Sequence, residues 1–197
     1  MANLAVFASG TGSNFVALAD DLAESSHNLV LLVTDNPDAP AVERAGERRI
    51  PVFYARYKGR EREAAERDIL AELERRNCDL VALAGFMRIL TPTLIDGFPG
   101  AIVNIHPSLL PRHPGTRAIE KSYHSGDTEL GITIHFVDYG VDTGPIVLQQ
   151  SLERSELDDL EAATERIHAL EHRWYPTVVR DLLDRISQGQ IIQGATP

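Results

Sequence analysis

Apolar residues in this chain come in short dense runs separated by longer amphipathic stretches. Leu4–Ala8, Asn28–Thr34, Pro51–Tyr54, Leu80–Ala84 and Ala101–Ile105 are dominated by apolar residues instead of alternating with polar ones. An alternating strand has one face in water, whereas a strand apolar throughout is covered on both faces. Between these runs the spacing becomes helical, over Ser13–Ala23, Ala41–Arg48 and Arg60–Arg76, with another short helix opening at Thr91-Pro92. On the Arg60–Arg76 helix, Ala64, Ile69, Leu70 and Leu73 form the stripe expected to face the sheet. Buried strands that take turns with helices predict a parallel sheet with helices on both faces.

The pattern changes near residue 130. Ile132–Val137 alternates, Asp138–Gly144 reads as a loop, and Ile146–Gln150 reads as a further strand. This pair is expected to be antiparallel and to close one edge of the sheet. From Asp158 to about Ile186 the pattern is that of a long helical region, bent or broken at Pro176, and Gln190-Ile191-Ile192 reads as a last short strand. The acidic stretch Glu156–Glu161 is most simply a solvated helix start. The predicted class is α/β: a doubly wound, mostly parallel twisted sheet with an antiparallel C-terminal edge and a long C-terminal helix. No repeat, low-complexity segment or linker divides the chain, so residues 1–197 are expected to form a single domain.

Composition narrows the partners. With 19 Lys and Arg against 29 Asp and Glu, the net charge is −10, which disfavours nucleic acid and anionic membrane surfaces. An anionic substrate must be drawn in by local Arg and backbone N–H groups against that field. The lone Cys78 has no disulfide partner and lacks zinc-site spacing, and no histidine spacing points to a metal. No run approaches the roughly 20 apolar residues of a membrane span, and Met1-Ala2-Asn3 has no basic leader character. A cytoplasmic protein is expected.

Four segments carry candidate chemistry. In Asn104-Ile105-His106-Pro107-Ser108-Leu109-Leu110-Pro111, alternation puts Asn104 and His106 on the same face of a strand end, where an amide and an imidazole can hold one developing oxyanion. Read alone, the pair is a capping Asn and a surface His. Ser9-Gly10-Thr11-Gly12-Ser13-Asn14 joins the first strand to the first helix and offers backbone N–H groups to a phosphate. It is not a Walker A loop, and Phe15 stands where a dinucleotide fingerprint needs glycine, although Asp35 falls where a ribose-binding acid would lie. Ser13 or Asn14 can bond a phosphate or cap the helix. Gly85-Phe86-Met87-Arg88-Ile89-Leu90 follows a parallel strand. Met87, Ile89 and Leu90 there offer an apolar slot and Arg88 a cation, the plainer alternative being ordinary core. Asp138–Pro145 is a shaped loop whose Asp142, if it lies against His106, is expected to raise the imidazole pKa. His135 either faces this site or is a satisfied structural histidine.

Taken in order and spacing along nearly the whole chain, these segments resemble the glycinamide ribonucleotide formyltransferase family, folate-dependent enzymes of purine synthesis. The resemblance also rests on Leu83–Leu90, His135-Phe136-Val137, Val141-Asp142-Thr143-Gly144-Pro145 and Glu171–Pro176. It implies a Rossmann-like formyltransferase fold, with residues 1–100 a phosphate-binding half and 101–197 a catalytic and folate-binding half. It implies that Asn104, His106 and Asp142 are the catalytic trio and that Gly12, Ser13 and Asn14 hold the ribonucleotide phosphate. Glu171 would lie near the glycinamide substrate. Arg62, Met87, Arg88, Ile89, Leu90, Asn104, Val141 and Asp142 would bind the folate. It implies 10-formyltetrahydrofolate as co-substrate, glycinamide ribonucleotide as acceptor and no metal, with a homodimer left open. Thr116-Arg117 departs from the family pattern, which usually has a histidine or similar polar residue there. The rival readings are formyltetrahydrofolate hydrolysis, formyl transfer to another amine, and a non-catalytic nucleotide-binding α/β module.

Overall fold

The computed structural model describes residues 1–155 and 159–192. Among these residues seven strands form one sheet: β1 (Asn3–Phe7), β2 (Asn28–Thr34), β3 (Val52–Tyr54), β4 (Leu80–Leu83), β5 (Ile102–His106), β6 (Glu129–Phe136) and β7 (Ile146–Glu153). Among the described residues six helices accompany them: α1 (Ser13–Ala23), α2 (Pro40–Glu47), α3 (Arg62–Arg75), α4 (Pro92–Gly97), α5 (Ala118–His124) and α6 (Leu160–Ser187). The strand order is β3-β2-β1-β4-β5-β6-β7. β1 to β5 run parallel, and β6 and β7 are antiparallel to their neighbours.

Successive residues of β1 explain the unbroken apolar runs. Leu4 and Val6 pack into a core shared with α1 and α6, while Ala5 and Phe7 pack into a second core beneath α3 and α4. Neither face meets water, so neither can be polar. The order reverses between β1 and β4, from which successive connections leave in opposite directions, and a crevice opens at their carboxyl ends.

The structure departs from the sequence reading in five places. On β6 the alternation is real, but both faces are buried: Ile132 and Ile134 enter the core, while Thr133 and His135 are covered from the other side. Thr133 Oγ1 donates to the Ser108 carbonyl at 2.7 Å and accepts from the Leu110 N–H at 3.0 Å, so the Pro107–Pro111 loop covers that face. α6 continues through Pro176 because its neighbours hold it. Tyr175 is fully buried and its hydroxyl lies 2.9 Å from the Leu83 carbonyl and 3.2 Å from the Val103 carbonyl, while Val179 and Leu183 sit in the core. Packing of this kind outweighs one lost backbone hydrogen bond. Gln190–Ile192 forms no strand, and Ile191 is exposed. On α3 the buried residues are Ala65, Glu66, Ile69 and Leu73, so Ala65 takes the core position expected for Ala64. α5, only seven residues long, was not foreseen. The acidic stretch lies outside the described residues over 156–158, and so does the expected helix start at Asp158. Within the described part, Asp159 caps α6 by accepting from the Ala162 N–H. Among the described residues no helix is long and apolar enough to cross a membrane.

Candidate active site

The crevice at the carboxyl ends of β1, β4 and β5 is a cleft of about 630 Å³. It gathers three of the segments singled out above and the loop after β6. Asn104 and His106 project into it from β5, two residues apart as strand geometry requires. Asn104 pairs in register with His135 of the antiparallel neighbour β6, which places their side chains against each other.

Asp142 joins the two strands' side chains from the loop after β6. That loop is shaped by Asp138, whose carboxylate accepts from the Gly140 N–H at 3.0 Å and the Thr143 hydroxyl at 2.7 Å. A Cβ at Gly144 would meet the Phe136 carbonyl oxygen at 1.9 Å, so only glycine lets the loop return this close to β6. Asp142 itself has φ 57°, a left-handed conformation. Its Oδ2 lies 3.3 Å from His106 Nδ1 and accepts from the Gly115 N–H at 2.7 Å. Its Oδ1 accepts from Asn104 Nδ2 at 3.4 Å and lies 3.6 Å from His135 Nε2.

The hydrogen bonds assign the protons. His106 Nε2 lies 2.9 Å from the His113 carbonyl, which only accepts, so Nε2 carries a hydrogen. His135 Nδ1 likewise donates to the Phe136 carbonyl at 2.8 Å, which leaves its Nε2 to accept from Asn104 Nδ2 at 3.1 Å. His135 thus both faces the site and is satisfied within it. Both hydrogens of the Asn104 amide are turned toward protein acceptors. The longer contact, to Asp142, is the one a substrate oxygen can replace.

Electrostatics differ from the expectation for His106. Burial lowers its pKa, and this outweighs the His113 carbonyl and Asp142, which both act to raise it. Desolvation of a ring only 5% exposed exceeds the attraction of one partly buried carboxylate. Burial likewise pushes the Asp142 pKa up, but contacts with His135, the Gly115 N–H and His106 together bring it below the usual carboxylate range. The resting site therefore pairs an ionised carboxylate with an imidazole whose burial opposes a second proton.

The glycine loop forms the other end of the cleft. Gly12 caps α1 with φ 74°, and a Cβ there would lie 2.7 Å from that of Ala41. No side chain caps α1, so neither Ser13 nor Asn14 serves as the cap. The first-turn N–H groups point out of the helix start, where an anion is favoured. Asn14 Nδ2 instead donates to Glu171 Oε2 at 2.9 Å, and its own carbonyl oxygen is buried without a protein partner. Burial raises the Glu171 pKa to about 7, only partly opposed by the Asn14 amide. His168, one turn before Glu171 on α6, also lines the cleft and was missed, because helical spacing alone does not reveal which face of a long helix meets a cleft.

The segment after β4 forms the apolar wall. Met87 is 68% exposed and Ile89 60%, and Val141 and the largely buried Leu90 line the same cleft. Arg88 departs from expectation. Its guanidinium is bound to Asp35 at 2.6 Å and stacks over Tyr57, so its charge is already neutralised. Asp35 also accepts from Ser9 Oγ at 2.6 Å, and these contacts occupy the acid that a dinucleotide ribose would need. Arg62 reaches the same segment from α3 and donates to the Ile89 carbonyl. Glu66, invisible in the sequence as a site residue, is fully buried and accepts from the Thr91 N–H at 2.9 Å, anchoring the end of that segment. Among the described residues no cluster of three His, Cys, Asp or Glu side chains is arranged to hold a metal.

Known proteins resemble this chain in sequence and fold. The sequence pattern of the family described as Formyl transferase matches residues 2–179. Phosphoribosylglycinamide formyltransferase of Bacillus subtilis is 45% identical over 193 residues, covering 96% of this chain and 99% of that protein. The trifunctional purine biosynthetic protein adenosine-3 of Drosophila melanogaster is 38% identical over 92% of this chain, which spans 14% of that longer protein. Among solved structures, glycinamide ribonucleotide transformylase 1 of Geobacillus kaustophilus is 46% identical, with a TM-score of 0.89 over 93% of this chain and 99% of that one.

Proposed function

The chain belongs to the formyl transferase family, and from that membership we propose that it transfers the formyl group of 10-formyltetrahydrofolate to the amine of glycinamide ribonucleotide, a step of purine synthesis. The observation that carries this reading is the meeting, in one cleft, of the Asn104–His106–Asp142 network with an uncapped helix start and an apolar wall.

Each part suits one piece of the reaction. The N–H groups of Gly12, Ser13 and Asn14 hold the ribonucleotide phosphate. Glu171, with Asn14 beside it, orients the glycinamide end. Met87, Ile89 and Leu90, with Val141 opposite, take the flat pterin, while Arg62 holds the Ile89 carbonyl and so the shape of the slot. Arg88 contributes through its backbone, since its guanidinium is bound to Asp35.

The amine nitrogen attacks the formyl carbon, and the carbonyl oxygen becomes an oxyanion. Asn104 Nδ2 donates to that oxygen, giving up its longer contact to Asp142. His106 takes up the proton that the attacking amine loses, Asp142 holds the resulting imidazolium, and the same proton passes on to the leaving folate nitrogen. The bond from carbon to the folate nitrogen breaks, the amine loses one proton and the leaving nitrogen gains one. Low-dielectric surroundings make each donor worth more than in water, roughly 3–4 kcal/mol of barrier in comparable sites. Residues 1–197 act as one domain in this reading. Residues 1–100 supply the phosphate site and 101–197 the trio, with the folate slot drawing on both.

The test follows folate deformylation by absorbance with and without glycinamide ribonucleotide. Release that requires the ribonucleotide and yields a formylated product supports the transferase. Equal release without it indicates hydrolysis. No release in either case refutes both and leaves another acceptor or a binding role.

A further inference from the structure

The loop that follows β5 makes two contacts to the proposed catalytic pair, both through its main chain. The His113 carbonyl accepts from His106 Nε2 at 2.9 Å, and the Gly115 N–H donates to Asp142 Oδ2 at 2.7 Å. A main-chain contact is only as well aimed as the loop that carries it. The near part of this loop is tied by Ser108, fully buried, whose hydroxyl donates to the Arg112 carbonyl at 2.7 Å. The same hydroxyl lies 3.4 Å from the His113 carbonyl, and a second anchor comes from the His113 side chain. His113 Nε2 lies 2.7 Å from Asp127 Oδ2 in the turn between α5 and β6, and Arg112 Nη1 lies 3.4 Å from Asp127 Oδ1. Lys121 Nζ adds a contact to the Pro114 carbonyl at 3.2 Å. His113 also has φ 55°, a conformation that a residue with a Cβ keeps only when its surroundings hold it there.

We propose that the hydrogen-bonded His113–Asp127 pair is a positioning device for the active site, holding the His113 carbonyl on His106 and the Gly115 N–H on Asp142. This rests on the reading of His106 and Asp142 as catalytic. The pair touches no reacting atom and acts through the loop. Its physical effect is on proton affinity and aim. The carbonyl contact opposes the burial that lowers the His106 pKa, as Asp142 also does, while His135 and Lys121 act in the same direction as burial. Releasing the carbonyl leaves burial less opposed, so His106 then takes up its second proton less readily.

The experiment uses the whole chain with His113→Phe, Asp127→Ala and the double variant, with steady-state kinetics and an NMR titration of the His106 ring. Each single variant is expected to lower kcat about 10-fold while both KM values stay within about 2-fold, because misaim costs the transition state more than the ground state. The His106 titration is expected to move to lower pH, by roughly half a unit or more, with the loss of one hydrogen bond to the charged ring. The double variant should be no worse than the single ones, as for two residues acting as one unit. Asp127→Asn, which keeps the turn geometry, is read in the same way should Asp127→Ala fold poorly. A purely structural role would lower the melting temperature and leave the His106 titration in place, and that result overturns the proposal, as do additive single effects. His106→Asn with undiminished turnover would instead refute the catalytic reading, while the NMR titration still decides whether the pair positions the ring.

Discussion

Replacing Glu171 by Gln separates the burial of this carboxyl from its proposed contact with substrate. Glu171 is 6% exposed, and its pKa rises from 4.5 to about 7, because burial disfavours the carboxylate more than the Asn14 amide favours it. A raised folded-state pKa means that the folded protein binds the proton more tightly than the unfolded chain. The resulting stability is complete below the unfolded value and is lost as pH rises through about 7. At roughly 1.4 kcal/mol for each pH unit of displacement, the loss is about 3 kcal/mol between about pH 4 and about pH 8. Gln at this position stays neutral throughout, and its amide can donate toward the Asn14 carbonyl oxygen that has no protein partner. Urea unfolding of the two proteins at matched pH values measures the difference directly. Glu171→Gln should equal or fall slightly below the parent near pH 4 and exceed it by about 3 kcal/mol near pH 8. Its KM for glycinamide ribonucleotide should rise over the same range. Parallel stability profiles would refute the reasoning, since they would mean that the carboxyl ionises in the folded protein as readily as in the unfolded chain.

Asp142→Asn removes the charge that holds the His106 imidazolium, and should lower kcat about 100-fold or more while the melting temperature moves by only a few degrees. Stopped-assay turnover beside a thermal melt checks both. Gly12→Ala places a Cβ 2.7 Å from that of Ala41 at a φ of 74°, so KM for the ribonucleotide should rise far more than KM for the formyl donor. Separate saturation curves for the two substrates would show it. Tyr175→Phe leaves the Leu83 and Val103 carbonyls without their buried donor and should cost about 1–3 kcal/mol in urea unfolding, with kcat nearly unchanged. Cys78, its thiol pushed by burial up to about 12, should react with iodoacetamide at pH 8 far more slowly than an unperturbed thiol.

The sheet, its parallel part and its antiparallel edge were legible because burial on both faces leaves a direct mark on composition. α1 and β2 matched their expected ends residue for residue, since the glycine loop before α1 and Asp35-Asn36-Pro37 after β2 punctuate the chain. α5 was not legible, because seven residues contain too few turns for a periodic signal. The path of α6 through Pro176 was not legible either, because proline's local cost is visible in sequence and the packing that overcomes it is not.

The site divides along the same line. Asn104 and His106 could be paired from sequence because a strand has a period of two, and the glycine loop could be placed because backbone N–H groups at a helix start need no partner to be identified. What they touch depended on segments far apart in the chain. His135 meets Asn104 through strand register, Asp35 neutralises Arg88 across 53 residues, and the His113 carbonyl reaches back seven residues to His106. The raising effect of Asp142 on His106 was foreseen but the larger effect of burial was not: a nearby carboxylate can be guessed from a motif, whereas the depth of burial is a property of everything packed around the ring. The sequence by itself determined the layered fold, the strand that bears Asn104 and His106 and the glycine turn before α1, all of which follow from local periodicity and backbone geometry. Only the tertiary structure decided which charges remain free, where each proton resides and which loop touches His106 and Asp142, because solvation and charge pairing depend on the distances between atoms that the chain order does not set.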